Sequence, residues 1–191
     1  MIGPGELARA LQGAWRVFIG APDAMRHFDT SIDGFWRSFL VIVPVAPLFA
    51  LSAFAEYQSL QAMLPADVTV DGTAFFWKEA VRLCLDWVAL PLLFAALAGI
   101  LGIRQTYAAF ITVRNWVTIA IVLPFVAISL LGAAGLLSED VQSVLAIVAL
   151  GFALRMMYMA ARIALKARWD LAAGIVVLDF LTSLLTLATK R

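Results

Sequence analysis

The chain has 191 residues, 63% of them hydrophobic and 14% charged, with a formal net charge of +1 and a mean hydropathy of +0.95. A soluble domain is about half apolar and a quarter charged, and at this size roughly a third of its surface stays exposed, so no water-soluble fold hides this much apolar side chain. One cysteine, Cys84, and one histidine, His27, exclude an internal disulfide and any zinc, haem or iron–sulfur centre built from those ligands.

Residues 5–20 are expected to form an amphipathic helix. Leu7, Leu11, Ala14, Trp15 and Phe18 recur at the spacing of one helical face, with Glu6, Arg9, Gln12 and Arg16 off that stripe. Such a helix suits the headgroup boundary, with Leu11, Trp15 and Phe18 as its anchors, or a place against the protein's own cytoplasmic face. Glu6, Arg9 and Arg16 interrupt what would be the apolar stretch of a signal peptide, so cleavage is not expected. A second short helix is predicted to start at Ala21-Pro22-Asp23 and to break by Asp33-Gly34.

Five apolar stretches of nearly the ~20 residues needed to cross a bilayer follow. The first spans Phe35–Ala55 and carries Pro44 and Pro47, which predict a kink. A loop over 56–72 leads to Thr73, a plausible N-cap, and to a second span with its core over Leu83–Leu101. The third lies within Tyr107–Leu131, the fourth runs over Val141–Ala164 and the fifth over Leu171–Ala188. Cys84, inside an apolar run, reads as a small buried hydrophobe. The expected architecture is all-α: a polytopic membrane bundle of about five helices over 35–188, preceded by a cytoplasmic or interfacial segment over 1–34.

Basic residues set the orientation. With the amino terminus inside, nine lie on the cytoplasmic side (Arg9, Arg16, Arg26, Arg37, Arg104, Arg114, Arg162, Lys166 and Arg168) and three outside (Lys78, Lys190 and Arg191). That asymmetry predicts an amino terminus in the cytoplasm, a carboxyl terminus outside and an odd number of spans.

Charges at membrane depth each cost several kcal/mol unless paired or hydrated, so they are the functional candidates. Arg82 and Asp86, four residues apart, are expected to pair on one face of the second span. Arg155 lies roughly 15 Å and Asp179 roughly 12 Å from the shared turn of the last two helices, counted at 1.5 Å per residue, and the two are predicted to form a buried pair. Asp179, Thr182, Ser183 and Thr186 recur on one face as a polar seam, either glue between helices or the lining of a solute path. No metal motif, phosphate-cradling loop or Ser-His-Asp set is present, and neither a cofactor nor a catalytic residue is expected.

The stretch Gly13-Ala14-Trp15-Arg16, Pro22-Asp23-Ala24, Phe28-Asp29 and Gly34-Phe35-Trp36-Arg37-Ser38-Phe39, followed by clustered apolar helices, resembles the Yip (Ypt-interacting protein) family of five-span membrane proteins and related uncharacterised bacterial proteins. Eukaryotic Yip proteins bind small GTPases in vesicle traffic and carry a long cytoplasmic amino-terminal domain. The segment ahead of the first span here is short, and the resemblance implies topology without transferring any site residue. The function expected is non-enzymatic: assembly, as a homo-oligomer or an accessory subunit of a larger membrane complex. The alternative is a small transporter or channel using the seam around Asp179. The expected partners are the lipid bilayer and other membrane subunits or copies of the same chain, with no nucleic acid.

Overall fold

Single side chains set several helix starts. Ser31, Asp71 and Ser138 take extended backbone conformations and accept from the first free N–H groups of the helices that follow: Gly34, Thr73 with Ala74, and Val141. These helices are α2 (Ile32–Ser38), α4 (Gly72–Leu97) and α6 (Glu139–Ala164). The computed structural model describes the backbone of residues 4–65 and 67–188 and the side chains of 5–65 and 67–184. It adds α1 (Pro4–Phe18), α3 (Ile42–Met63), α5 (Tyr107–Ala133) and α7 (Trp169–Ala188), and every regular element among the described residues is helical.

Four helical stretches are long and apolar enough to cross a membrane: residues 32–63, α4, α5 and α6. They coincide with the first four expected spans, with local corrections. Asp71, not Thr73, caps α4, because its carboxylate reaches two N–H groups at once, on Thr73 and Ala74. Asp33-Gly34 is not a break but lies inside α2, and the short helix before it is a 3₁₀ turn over Ala24–His27. Residue 34 must be glycine, since a Cβ there would come within 2.0 Å of the Asp29 carbonyl. The loop expected from residue 56 begins only after Met63, where Gln61 and the Tyr57 hydroxyl both bond the Val70 carbonyl. Between α2 and α3 the chain tightens into a 3₁₀ turn over Phe39–Val41. Pro44 then falls in the first turn of α3, where a missing N–H costs little, and Pro47 lies further inside.

The helix α5 is central. It packs against α1, α2, α3, α4 and α6, whereas α7 packs on α4 and α6. Burial is concentrated at one end of the bundle. There Phe110, Ile111, Val113 and Val117 of α5 meet Val41 of the 3₁₀ turn before α3, Val45 of α3, Leu90 and Phe94 of α4, and Ala160, Ala161 and Ala164 of α6. Ala172 and Ile175 bring α7 into the same core. The other end stays open: Trp77, Leu85, Val144 and Ile147 are all exposed.

The amino-terminal helix closes the packed end. Ala10, Gly13, Ala14 and Val17 are buried, and α1 lies against α5 and α6. Gly13 admits the 3₁₀ turn, since a Cβ there would sit 2.7 Å from both His27 and the Phe28 ring. Gly20 ends α1 in the left-handed region (φ 74°), with Ala21 N–H returning to the Arg16 carbonyl at 2.8 Å. Helix α1 thus shares the core of the bundle.

Candidate functional site

Among the described residues Asp179 makes its ion pair with Arg114 of α5, 4.0 Å away, and the two side chains are only 20% and 13% exposed. The expected pairing of Arg155 with Asp179 is therefore corrected. Arg155 is exposed, its guanidinium 5.1 Å from the centre of the Phe18 ring. The reason is azimuth. Arg155 continues the outward face of Val144, Val148 and Gly151, whereas Met156, Met157, Ala160 and Ala161 carry the buried face of α6. Asp179 follows buried Ala172 and Ile175 at helical spacing and so faces inward. Depth along the helices was compatible with pairing, but direction around them was not.

Three helices contribute to the charge cluster. Arg114 lies two turns into α5, roughly 10 Å from Tyr107, while Asp179 and Asp86 lie roughly 15 Å in from the same end of α7 and α4. Asp86 acts electrostatically on both Arg114 and Asp179, and the Arg114 guanidinium stands 6.0 Å over the ring of buried Trp87. Among the described residues α5 and α7 do not pack directly on each other, and the Arg114–Asp179 pair links them. One Arg114 nitrogen and the Trp87 indole nitrogen are buried without a hydrogen-bond partner among the described residues. The cluster sets one cation against two carboxylates.

The expected pairing of Arg82 with Asp86 is likewise replaced. Arg82 bonds Glu79 at 2.7 Å and lies 5.0 Å over the Phe49 ring. Helix α4 starts at the open end of the bundle, so a side chain reaching for the nearer surface turns back toward Glu79, while Asp86 lies on the inner side. Cys84 is exposed rather than buried, because it sits on the outward side of α4.

Of the expected polar seam, Thr182 and Ser183 are described beside Asp179. The Thr182 hydroxyl donates to the Leu178 carbonyl of its own helix at 2.8 Å, which leaves it little need of a partner helix. Ser183 is exposed, and the side chain of Thr186 lies outside the described residues. Of the three anchors, Leu11 and Trp15 are 38% and 61% exposed on the outer face of α1, whereas Phe18 is half-buried, its ring 4.9 Å from Phe152. A second buried polar contact joins α2 to α5: Asn115 donates to Ser38 at 3.0 Å, with both residues fully buried.

Sequence reasoning counted Arg114 among the loop cations. The signal that could have found it is the run Phe110–Val117, in which Arg114 and Asn115 interrupt an otherwise apolar helix well past its start at Tyr107. No three of the described His, Cys, Asp and Glu residues come together as a metal site. No protein-family model, curated protein or solved structure matches the chain.

Proposed function

We propose that the chain is a non-enzymatic integral protein of a bacterial inner membrane that works by assembly, as a homo-oligomer or an accessory subunit of a larger membrane complex. On this reading α7 is the fifth span, the packed end faces the cytoplasm and the carboxyl terminus lies outside, as in the Yip family. One observation carries it. The open end holds a lateral groove of about 700 Å³ between α3 and α4, lined by Glu56, Lys78, Glu79 and Arg82 together with Phe75 and Trp77. Charged side chains in a groove flanked by exposed apolar surface suit a protein neighbour better than lipid tails.

Cys84 on the outward side of α4 is a built-in probe. A bifunctional maleimide added to native membranes is expected to move the 20.7 kDa band to one defined higher mass, twice the original for a homo-oligomer. A band that stays wholly at the monomer position with Cys84 fully alkylated would sink the proposal.

The Asp86–Arg114–Asp179 cluster favours a second reading, a small transporter or channel, because it sets unequal opposite charges at membrane depth. Proteoliposomes of the Asp179→Asn variant with unchanged ion or proton flux would exclude it.

A further inference from the structure

At the packed end, four parts of the chain enclose a cavity of about 250 Å³ that belongs neither to the charge cluster nor to the groove. Helix α1 contributes Glu6 and Arg9, the 3₁₀ turn Arg26 and His27, the start of the bundle Asp29 and Arg37, and α5 the buried ring of Trp116. The glycines at 13 and 34 hold these parts together, since a side chain at either would collide with His27 or with Asp29. The cavity is therefore a product of close packing rather than a gap left by poor packing.

Its charges are unequal. Arg37 is occupied by Asp29 and lies 3.7 Å from Glu6, which uses both carboxylates of the lining on one guanidinium. Arg9 bonds only the carbonyl of Gly5, at 3.3 Å, and neither Arg9 nor Arg26 has a carboxylate within 4.0 Å among the described residues. The Nε of Arg37 is buried and has no hydrogen-bond partner among the described residues. Two uncommitted guanidiniums, one unused buried donor and an imidazole thus border one small space with an aromatic wall.

We propose that this cavity binds a single phosphate group, carried by a lipid headgroup or free in solution. Guanidinium forks match phosphate oxygens in geometry and charge, and the volume fits a phosphate with a short polar body. The setting is the level of the headgroups: Trp15, Trp36 and Trp169 are 61%, 65% and 66% exposed around the same end of the bundle. The site stands whether or not the assembly reading does, because it needs only that this end meet the membrane surface.

Native mass spectrometry of the full-length protein in neutral detergent tests it, with phosphatidylglycerol, phosphatidylcholine and inorganic phosphate as probes. The expected result is one tight adduct. Arg9→Gln/Arg26→Gln is expected to weaken it about tenfold or more, as loss of charge-assisted hydrogen bonds does. Both side chains are exposed, so this variant keeps the fold, and elution as the wild-type species checks that. Lys166→Gln/Arg168→Gln removes the same charge from the same end outside the cavity and is expected to keep the adduct. Saturation by phosphatidylglycerol that inorganic phosphate does not displace identifies a lipid site, and full displacement at millimolar phosphate identifies a free-phosphate site. Equal loss in both double variants, or no adduct with any of the three probes, would overturn the proposal.

Discussion

The two ends of the bundle use different residues and reach different densities. At the packed end α5 buries nearly every residue from Phe110 to Val117, while beyond Ile119 it buries only Val126. At the open end α4 and α6 present Trp77, Val81, Val144 and Val148 outward, all large and apolar. Apolar surface alone does not bring helices together when the solvent is itself hydrocarbon. Close approach over small residues and polar bonds does. The packed end has both: Ala10, Gly13, Ala14, Ala160, Ala161, Ala164 and Ala172, with the Ser38–Asn115 bond and the Arg114–Asp179 pair. The open end leaves more of its bulk exposed and is held by local contacts, Tyr57 on Phe75 and Phe76 and Arg82 on Glu79.

The strongest way to break this contrast is to strand a charge. Asp179→Ala is expected to destabilise the packed end by up to about 3–5 kcal/mol, because it removes the ion-pair partner of Arg114 and leaves Asp86, beyond 4.0 Å, as the remaining carboxylate, and adding Arg114→Leu should recover part of that loss. Thermal unfolding in detergent measures both. Arg155→Ala should cost no more than about 1 kcal/mol, the scale of an exposed cation–π contact. A cost for Arg155→Ala equal to that of Asp179→Ala would mean that the azimuth of α6 is misassigned.

Overpacking gives the next largest effect. Ala161→Leu at the packed end is expected to cost about 1–3 kcal/mol, whereas Ala80→Leu, exposed near the start of α4 at the open end, should change unfolding by less than about 0.5 kcal/mol. Equal effects would remove the distinction between the ends. Asn115→Ala should cost about 0.6–1.7 kcal/mol, the range for hydrogen bonds between membrane helices, and Ser38→Ala should be non-additive with it.

Acid gives the mildest test. Hydrogen bonding from Arg16 holds the Asp23 carboxyl below its ordinary range, and hydrogen bonds from Ser31, then the charge of Arg37, do the same for Asp29. A depressed carboxyl stabilises the native form at pH above its unfolded value, about 3.9 for aspartate, and that contribution is lost as pH falls through the lower native value. Docking of the amino-terminal turns should therefore be flat from neutrality down to that region and loosen only below it. Trp15 emission in a variant stripped of other tryptophans would follow it, and a transition centred near neutrality would contradict the assignment.

What was legible in the sequence was position along an axis. Hydropathy located the helices because lipid demands long apolar stretches, and Tyr107 and Ala164 fall at helix ends as expected. Position around an axis was not legible. Every face of a membrane helix is apolar, so the pattern that would orient α6 is nearly absent, and Arg155 was matched to Asp179 on depth alone. Arg114 was hidden by the opposite error, a residue near a helix start being counted with the loop. The Ser38–Asn115 bond joins residues far apart in the chain, and nothing local announces it.

The seating of α1 also orders events during synthesis. Its buried face rests on α5 and α6, and α5 begins only at Tyr107. At roughly 5–20 residues per second, α1 leaves the ribosome on the order of ten seconds before its binding surface exists. For that interval its apolar face has the 3₁₀ turn over Ala24–His27 beside it but not the core it finally joins, so final docking becomes a late, long-range step of folding rather than the first.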